Sequence, residues 1–282
     1  MTEGVIVRAM SGTYTVRTPE ETLVCKPRGK FRLDGITPLV GDKALLKDLT
    51  VWELGARKNV FERPPVANVD IIALLASGAI PVTDPFVLDK MIAISELRGC
   101  EPLIVVNKAD LDTADELYST YKSIGFTTVR VSAITGEGLS ELRAAIDGKL
   151  CAFTGNSGVG KSSVLNALTT LNLPIGEVSR KLGRGRHTTR HTELYELPPI
   201  KSGDVPTFVI DTAGFSKLES ENLTIEDVAG TFREFEPYEG ECRFSDCRHL
   251  KEPDCAVIAA LEAGKIAHSR HQSYIRLCEE AE

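Results

Sequence analysis

The sequence predicts a multidomain protein with a small all-β barrel, a doubly wound α/β domain and a mainly helical C-terminal segment. Three observations predict this order. Short alternating strands fill about the first sixty residues, buried strands then alternate with helices up to about residue 212, and cysteines cluster near the C-terminus. We therefore expect domains at residues 1–62, 63–218 and 219–282.

The first domain contains five short apolar or β-branched runs separated by turn residues. They are "EGVIVRAM", "TYTVRT", "ETLVCKP", "DKALLKD" and "TVWELGARKNVFE". Five short strands in so few residues predict a small closed barrel. The OB fold is the natural candidate, although periodicity alone leaves an SH3-like barrel open. The following "RPPVAN" at 63–68 is a stiff, polar junction and marks a plausible domain boundary.

The second domain shows the rhythm of a mostly parallel sheet covered by helices. Strands are expected at 69–76, 102–107, 127–133, 150–155, 192–197 and 207–212. Helices are expected at about 85–98, 113–124, 139–147 and 161–171. In such sheets ligands bind beyond the carboxyl ends of the strands, so the strand ends are where functional residues are expected.

A phosphate-binding loop follows the strand at 150–155. "GNSGVGKS" at 155–162 matches the pattern G-x-x-x-x-G-K-S/T between a strand and a helix. Its glycines let backbone N–H groups surround phosphate oxygens, while Lys161 reaches the β- and γ-phosphates and the Ser162 hydroxyl binds Mg²⁺. The candidate phosphate-binding residues are Gly155, Asn156, Ser157, Gly158, Val159, Gly160, Lys161, Ser162 and Ser163.

The motif "NKAD" at 107–110 predicts that the base is guanine. The Asp110 carboxylate can accept two hydrogen bonds, from N1–H and from the exocyclic amine of guanine, and adenine offers neither donor there. We expect Asn107 to brace the loop and the stem of Lys108 to cover the base, with Ala109 between them and the carboxylate.

Two more strand ends carry residues suited to the same ligand. "VSA" ends the next strand, where the backbone of Ser132 and Ala133 can offer donors to the base. "DTAG" ends the last strand, where Asp211 would hold Mg²⁺ through water and the Gly214 N–H would contact the γ-phosphate. Four such motifs at strand ends predict a single site for GTP with Mg²⁺.

These motifs occur in an unusual order along the chain. An ordinary GTPase runs from phosphate loop through switch I and DxxG to NKxD and SA, whereas here NKxD and SA come first. Moving them to the end restores the usual order, so we interpret the domain as a circularly permuted P-loop GTPase. Because DTAG now leads directly into the C-terminal segment, changes at the γ-phosphate can pass to that segment.

The residue that orients the attacking water is not obvious from the sequence. Phe215 stands where a Gln often follows the DxxG glycine, and a phenyl ring cannot hydrogen-bond water. His187, in the basic stretch "GRGRHTTR", is our candidate catalytic residue together with Lys161. Thr188 or Thr189 is the expected switch I ligand of Mg²⁺, and the sequence does not choose between them.

A cysteine–histidine loop predicts a structural zinc ion. Cys242, Cys247, His249 and Cys255 follow the spacing C-x4-C-x-H-x5-C. Three thiolates and one imidazole complete a tetrahedral zinc site and leave no open position for catalysis. The alternative is three buried free cysteines beside a surface histidine.

Composition and charge are those of an ordinary globular protein. The chain is 42% hydrophobic with a net charge of −7, has no secretory signal and has no apolar run long enough to span a membrane. The seven scattered cysteines fit a reducing cytoplasm better than a disulfide scaffold. The acidic balance argues mildly against nucleic acid, but Arg28, Lys30 and Arg32 of the barrel are candidate RNA contacts.

The motifs taken together resemble the circularly permuted small ribosomal subunit biogenesis GTPases, the RsgA or YjeQ-type family. The resemblance rests on "NKAD", "GNSGVGKSS", "GRGRHTTR", "DTAGF" and the cysteine–histidine loop, in that order behind a β-barrel. It implies an OB domain, a central GTPase and a C-terminal zinc domain. It also implies binding to the 30S subunit and its 16S rRNA late in maturation, with GTP hydrolysis stimulated by the subunit. Ala213 departs from the proline that this family often has there.

Two other functions are compatible with the motifs. One is a GTPase with a signalling or metal-delivery role and no ribosome. The other is a zinc-stabilised RNA-binding scaffold that holds its nucleotide without hydrolysis, against which the intact Lys161, Ser162 and Asp211 count. The sequence shows no persuasive oligomerisation surface, so a monomer is expected.

Overall fold

The computed structural model describes residues 1–169, 192–201, 205–210 and 223–281. The chain divides into two compact units. One contains Met1–Ala73, Leu139–Thr154 and the described residues from 161 to 210. The other contains Leu74–Gly138, Gly155–Gly160 and the described residues from 223 onward. Within these ranges, no helix is both long and apolar enough to cross a membrane.

The N-terminal part of the first unit is a closed five-stranded barrel. Its strands are β1 (Thr2–Met10), β2 (Thr13–Arg17), β3 (Thr22–Pro27), β4 (Lys43–Lys47) and β5 (Thr50–Leu54). They are ordered β1-β2-β3-β5-β4, and the antiparallel pairing of β1 with β4 closes the barrel. The inward positions of these alternating strands form a core that includes Ile6, Val16 and Val51, all fully buried. This closed barrel confirms the expected all-β domain and fits the OB-like alternative.

Two predicted features at the end of the barrel differ from the structure. The run "TVWELGARKNVFE" is not one strand, because β5 stops at Leu54 and the chain resumes as β6 (Val60–Glu62). The expected junction "RPPVAN" forms β7 (Pro65–Ala67), which pairs antiparallel with β6. The amide side chain of Asn59 holds the ends of this hairpin, accepting the Val69 N–H at 2.9 Å and donating to the Val69 carbonyl at 2.8 Å.

The α/β part contains a six-stranded sheet. Its strands are β8 (Ile71–Ala76), β9 (Glu101–Val106), β10 (Thr127–Arg130), β11 (Leu150–Gly155), β12 (Leu194–Leu197) and β13 (Thr207–Ile210). Their order is β10-β9-β8-β11-β13-β12, with β10 parallel to β9, β11 parallel to β13, and β12 antiparallel at the edge. Strand β8 is buried at every residue, as its continuous apolar sequence predicts for a central parallel strand.

The helices of the α/β part and of the C-terminal segment were predicted, whereas the short helix Gly29–Leu33 within the barrel region was not. The helices are α1 (Gly29–Leu33), α2 (Pro85–Leu97), α3 (Asp115–Ile124), α4 (Leu139–Ala145), α5 (Lys161–Leu168), α6 (Ile225–Ala229), a 3₁₀ helix (Arg233–Tyr238), α7 (Ala256–Glu262) and α8 (His268–Ala281). Helix α2 begins with Pro85 at its first turn, and the Asp84 carboxylate accepts the Phe86 N–H at 3.0 Å. This cap fixes where the helix starts after the loop that leaves β8.

The C-terminal helices of the second unit share a hydrophobic core with α2. Phe86 and Ala93 of α2 lie in one buried cluster with Phe232, Tyr274 and other residues of the C-terminal segment. Beside this cluster is an ion network that the sequence did not indicate, in which Arg270 and Asp89 are both 1% exposed. The segment from residue 223 onward therefore packs against α2 through a shared hydrophobic core.

Candidate functional site

The predicted phosphate loop occupies the turn between β11 and α5, and Lys161 is the first residue of α5. Two of its glycines have backbone conformations and neighbours that exclude a side chain. Gly155 has φ +144° and a Cβ there would lie 2.6 Å from the Leu75 carbonyl oxygen; Gly160 has φ +101° and a Cβ would lie 2.2 Å from Nδ2 of Asn107. The loop therefore needs glycine at both positions.

Asn107 connects three of the predicted motifs. Its side chain is buried, its Nδ2–H donates to the Val159 carbonyl at 2.9 Å, and its Oδ1 accepts the Ala133 N–H at 3.4 Å. These partners lie 52 and 26 residues further along the chain. The structure thus brings the NKAD turn, the SA turn and the phosphate loop to one place, as the permuted order predicts.

Backbone hydrogen bonds to the Lys108 carbonyl stabilise the remainder of the NKAD turn. Lys108 has φ +62°, an uncommon conformation for a residue other than glycine, and its carbonyl accepts the N–H groups of Leu111 and Asp112. The Lys108 ammonium donates to the Ile80 carbonyl at 2.6 Å. Asp110 is exposed at the end of this turn, so its carboxylate is accessible to a ligand.

The SA turn ends the next strand earlier than predicted. Strand β10 stops at Arg130 instead of residue 133, because the Ser132 N–H donates to the Glu137 carbonyl at 3.0 Å and turns the chain. The Ser132 hydroxyl accepts the Thr135 N–H at 3.1 Å and is fully buried. This leaves Ala133, rather than Ser132, as the residue of the turn whose backbone meets Asn107.

Several predicted site residues lie outside the described residues. They are His187, Thr188, Thr189, Asp211, Ala213, Gly214 and Phe215. The described part of the site is therefore the base side and the phosphate loop.

The loop from 77 to 84, between β8 and α2, was missed by motif reasoning although it contacts the same place. It supplies the Ile80 carbonyl to Lys108, and the Pro81 ring lies 3.4 Å from the position a Cβ of Gly158 would occupy. Its one sequence signal was its place at the carboxyl end of a buried strand.

The cysteine–histidine loop converges on one point. The Sγ atoms of Cys242, Cys247 and Cys255 and a ring nitrogen of His249 all lie within 4.8 Å of one another. Cys242 Sγ is 3.8 Å from Cys255 Sγ, and the His249 Nδ1 is 3.5 Å and 3.4 Å from these two sulfurs. Zn–S bonds of about 2.3 Å and a Zn–N bond of about 2.0 Å at tetrahedral angles give sulfur–sulfur and sulfur–nitrogen separations of about 3.8 Å and about 3.5 Å. The donor set fits one zinc ion.

The ionisation of these ligands depends on a nearby positive charge. Burial, the largest cause, together with hydrogen bonds to the Cys255 and Cys242 sulfurs, raises the pKa of the Cys247 thiol to about 12. Burial lowers the pKa of His249, so its imidazole is neutral at pH 7 and can act as a ligand. Three crowded thiols cannot all ionise without a compensating positive charge, which a divalent cation provides.

Side chains of helix α8 contact the backbone of this loop. The His271 Nε2 is 2.8 Å from the His249 carbonyl, and the Tyr274 hydroxyl donates to the Arg248 carbonyl at 2.6 Å. The Glu252 carboxylate accepts the N–H groups of Arg248, Leu250 and Lys251 at 2.8–3.1 Å. His249 itself has φ +57°, so the loop adopts a constrained backbone at the ligand.

Two basic residues of the barrel lie next to Trp52. The guanidinium of Arg28 stacks over the Trp52 ring at 3.8 Å, and the Lys47 ammonium lies 5.0 Å from the same ring. Lys30 and Arg32 are exposed on α1, and Lys30 lies 4.0 Å from Asp34. The barrel therefore presents cationic side chains against an aromatic ring.

Comparisons with known proteins cover the whole chain. The family model described as RsgA GTPase matches residues 54–221, and the RsgA N-terminal domain model matches residues 3–50. The small ribosomal subunit biogenesis GTPase RsgA of Caldanaerobacter subterraneus subsp. tengcongensis is 42% identical, covering 99% of this chain and 95% of that protein. The protein of the same name from Moorella thermoacetica is 41% identical, over 97% of this chain and 95% of that protein.

Two solved structures share this fold. The crystal structure of YjeQ from Thermotoga maritima has a TM-score of 0.84 at 34% identity and covers 99% of this chain and 98% of its own. The structure of YloQ, described as a circularly permuted GTPase, has a TM-score of 0.81 at 33% identity and covers 100% of this chain and 95% of its own.

Proposed function

The chain belongs to the RsgA GTPase family, and we propose that it hydrolyses GTP while bound to the small ribosomal subunit and assists late maturation of that subunit. One observation supports the nucleotide site most directly. The buried Asn107 side chain bonds the phosphate loop at Val159 and the SA turn at Ala133, so the two halves of the permuted motif set meet.

GTP is proposed to lie along the carboxyl ends of these strands. Asp110 is exposed where it can accept the two donors of guanine, while residues 155–163 surround the phosphates with backbone N–H groups. Lys161 at the start of α5 contacts the β- and γ-phosphates. The proposed Mg²⁺ ligands are Ser162, Asp211 through water, and Thr188 or Thr189, and Gly214 is the proposed γ-phosphate contact.

A zinc ion is proposed for the cysteine–histidine loop. Its role is structural, because the four protein ligands complete the tetrahedron and leave no position for water or substrate. The separations among Cys242, Cys255 and His249 support this assignment.

The RNA partner is proposed to be 16S rRNA within the subunit. The surface formed by Arg28, Lys30, Arg32 and Lys47 supports phosphate contacts, and its binding should weaken as salt increases. Ribosome assembly also implies that the protein acts in the cytoplasm, and we propose that it does so as a monomer.

Multiple-turnover phosphate release, with and without purified 30S subunits, tests this function. We expect slow basal hydrolysis of GTP that 30S subunits stimulate, and no hydrolysis by Lys161→Ala. Equal activity with and without subunits would favour a signalling GTPase. No hydrolysis in either condition, with nucleotide still bound, would favour an RNA-binding scaffold.

The water-orienting residue needs a separate test. Because Phe215 cannot hydrogen-bond water, we propose that His187 orients the nucleophile. His187→Ala should then reduce the turnover number in the presence of subunits and leave GTP affinity unchanged. Unchanged basal and stimulated rates would show that another residue, or the subunit itself, performs this step.

A further inference from the structure

The loop from Ser77 to Asp84, called here the β8–α2 loop, is closed by its own hydrogen bonds. The Ser77 N–H donates to Oγ1 of Thr83 at 2.9 Å, and the Thr83 N–H donates back to the Ser77 carbonyl at 2.9 Å. The Ser77 hydroxyl donates to the Ala79 carbonyl at 2.9 Å and accepts the Ala79 N–H at 3.1 Å. Ser77 is fully buried and Thr83 is 7% exposed, so the two residues form a clasp at the base of the loop.

The clasped loop contacts both parts of the nucleotide site in the same unit. Ile80 accepts the Lys108 ammonium at its carbonyl, 2.6 Å away. A Cβ on Gly78 would lie 2.8 Å from the Asp112 side chain, so the loop also packs closely on the end of the NKAD turn. On its other side Pro81 packs beside Gly158 of the phosphate loop.

We propose that Ser77 and Thr83 are positioning residues for Lys108, the lysine of the NKAD turn. By closing the loop, they present the Ile80 carbonyl at a fixed point, and the carbonyl holds the lysine ammonium. The long stem of Lys108 is then already extended where it covers the base, instead of being ordered only when nucleotide binds. The inference rests on the proposed function, in which residues 107–110 bind guanine.

Positioning Lys108 differs in its measurable effects from binding phosphate and from catalysis. Lys108 would contact the base side of the nucleotide, which is the same in GTP and GDP. Loss of the clasp should therefore weaken both nucleotides by the same factor and leave the turnover number at saturating GTP unchanged. A residue that acted on the γ-phosphate would instead separate GTP from GDP.

Titration of the purified full-length protein with GDP and with a non-hydrolysable GTP analogue tests the proposal. Thr83→Val removes the acceptor of the Ser77 N–H, and Ser77→Ala removes the two bonds to Ala79 that shape the loop beside Ile80. Each should weaken both ligands by about tenfold, since a flexible lysine must be ordered on binding. Thr83→Ser keeps the hydroxyl acceptor and should restore wild-type affinity. Val82→Ala is the matched control, because Val82 lies in the same loop with a 64% exposed side chain.

A double-mutant cycle with Lys108→Met decides whether the clasp acts through the lysine. In that background Ser77→Ala and Thr83→Val should add less than about a twofold loss. The same tenfold loss in both backgrounds would overturn the proposal, as would unchanged affinity of both clasp variants. Wild-type protein that fails to prefer guanine over adenine nucleotides would overturn the proposed function instead, so the two failures are distinguishable.

Discussion

The nucleotide loops and the cysteine–histidine loop are held in different ways, although both belong to the second compact unit. In the first, backbone geometry at strand ends and the amide of Asn107 fix the residues. In the second, residues 242–255 contain no strand, and four side chains converge so that three sulfurs lie close together. The sheet positions the residues of the nucleotide site, whereas in the cysteine–histidine loop the proposed zinc ion would offset the charge of its own ligands.

The two sites should therefore respond differently to substitution. Changes at the nucleotide site should alter affinity while the fold persists, because the sheet below it has its own core. Changes at the cysteine–histidine loop should alter folding of the surrounding segment. The loop has no strand of its own, and Cys242, Cys247 and Cys255 themselves pack in or against the hydrophobic cluster of that segment.

Loss of zinc should have the largest effect. Structural zinc supplies about 10–16 kcal/mol of apparent folding free energy in small zinc modules, so Cys255→Ser or chelation should unfold the loop and loosen α7 and α8. Hydrogen exchange of residues 242–281 should rise while GDP affinity stays near the wild-type value. Cys100→Ser is the control, because Cys100 is also buried but lies outside the cluster. Unchanged protection after verified zinc removal would contradict the contrast.

The buried pair of Asp89 and Arg270 should have the next largest effect. Arg270 Nη1 donates to Asp89 Oδ1 at 2.6 Å, and the Tyr121 hydroxyl donates to the same oxygen at 2.6 Å. Arg270→Met should lower the free energy of unfolding by about 3–5 kcal/mol. The change removes the cation shared by the buried Asp89 carboxylate and the Glu234 carboxylate, which accepts the Arg270 Nε–H at 2.6 Å. Urea unfolding measures this loss.

Two variants sharpen that measurement. Burial raises the pKa of Asp89 and the charge of Arg270 opposes that rise, so the combined change Asp89→Asn with Arg270→Met should recover part of the loss. Arg276→Met removes an arginine from the same helix whose pair with Glu280, at 3.6 Å, is exposed and whose guanidinium lies 3.6 Å from the centre of the Phe86 ring. It should cost about 1–2 kcal/mol, less than Arg270→Met. Equal losses for Arg270→Met and Arg276→Met would show that burial does not decide the effect.

Gly160→Ala should disrupt the nucleotide site without unfolding the unit. The new Cβ would lie 2.2 Å from Nδ2 of Asn107 and would displace the hydrogen bond to Val159. We expect GDP affinity, measured by calorimetry, to fall by about 100-fold from strain and the lost bond together. Gly125→Ala is a matched control: its φ of +102° is nearly that of Gly160, but nothing lies within 4 Å of its Cβ. It should reduce stability slightly and leave GDP affinity unchanged.

The capping box of α6 should give the smallest effect. The Thr224 hydroxyl donates to the Asp227 carboxylate at 2.7 Å, and the Thr224 N–H donates to it at 3.1 Å, which lowers the pKa of Asp227. A carboxyl whose pKa is lowered by folding stabilises the protein above its unfolded pKa, near 3.9, and that contribution disappears as the pH falls through the folded value.

The measurement is the difference in thermal midpoint between the wild type and Asp227→Asn across pH 3–7. The difference should be small and constant above about pH 5 and should shrink toward pH 3. Other titrations cancel in this difference because both proteins share them. A difference that grew as the pH fell would have the wrong sign for this explanation.

Sequence patterns predicted most of the sheet because buried parallel strands leave a clear signal. "IIALLA" and "PLIVV" are continuous apolar runs, and both are strands in the structure. The patterns failed at two places where the chain changes direction. Neither the hairpin of β6 and β7 nor the early end of β10 at Arg130 could be inferred, because both depend on hydrogen bonds from side chains or distant carbonyls.

In the candidate site, too, some features could be predicted from the sequence and others could not. Local spacing was sufficient for the phosphate loop and for the three cysteines with His249, since each set lies within fourteen residues or fewer and its chemistry depends on residue type. Contacts between distant segments could not be predicted from the local sequence. The Ile80 carbonyl that meets Lys108 is a backbone atom, which any amino acid would supply.

The residue order alone was enough to predict the motifs, their permuted arrangement and the candidate metal ligands, because these depend on the chemistry and spacing of neighbours in the chain. Packing was needed to establish that Asn107 lies against Val159, that Arg270 is buried against Asp89, and that the β8–α2 loop reaches Lys108. Such contacts join residues far apart in the chain, and they arise only when burial of the strands and helices brings those segments together.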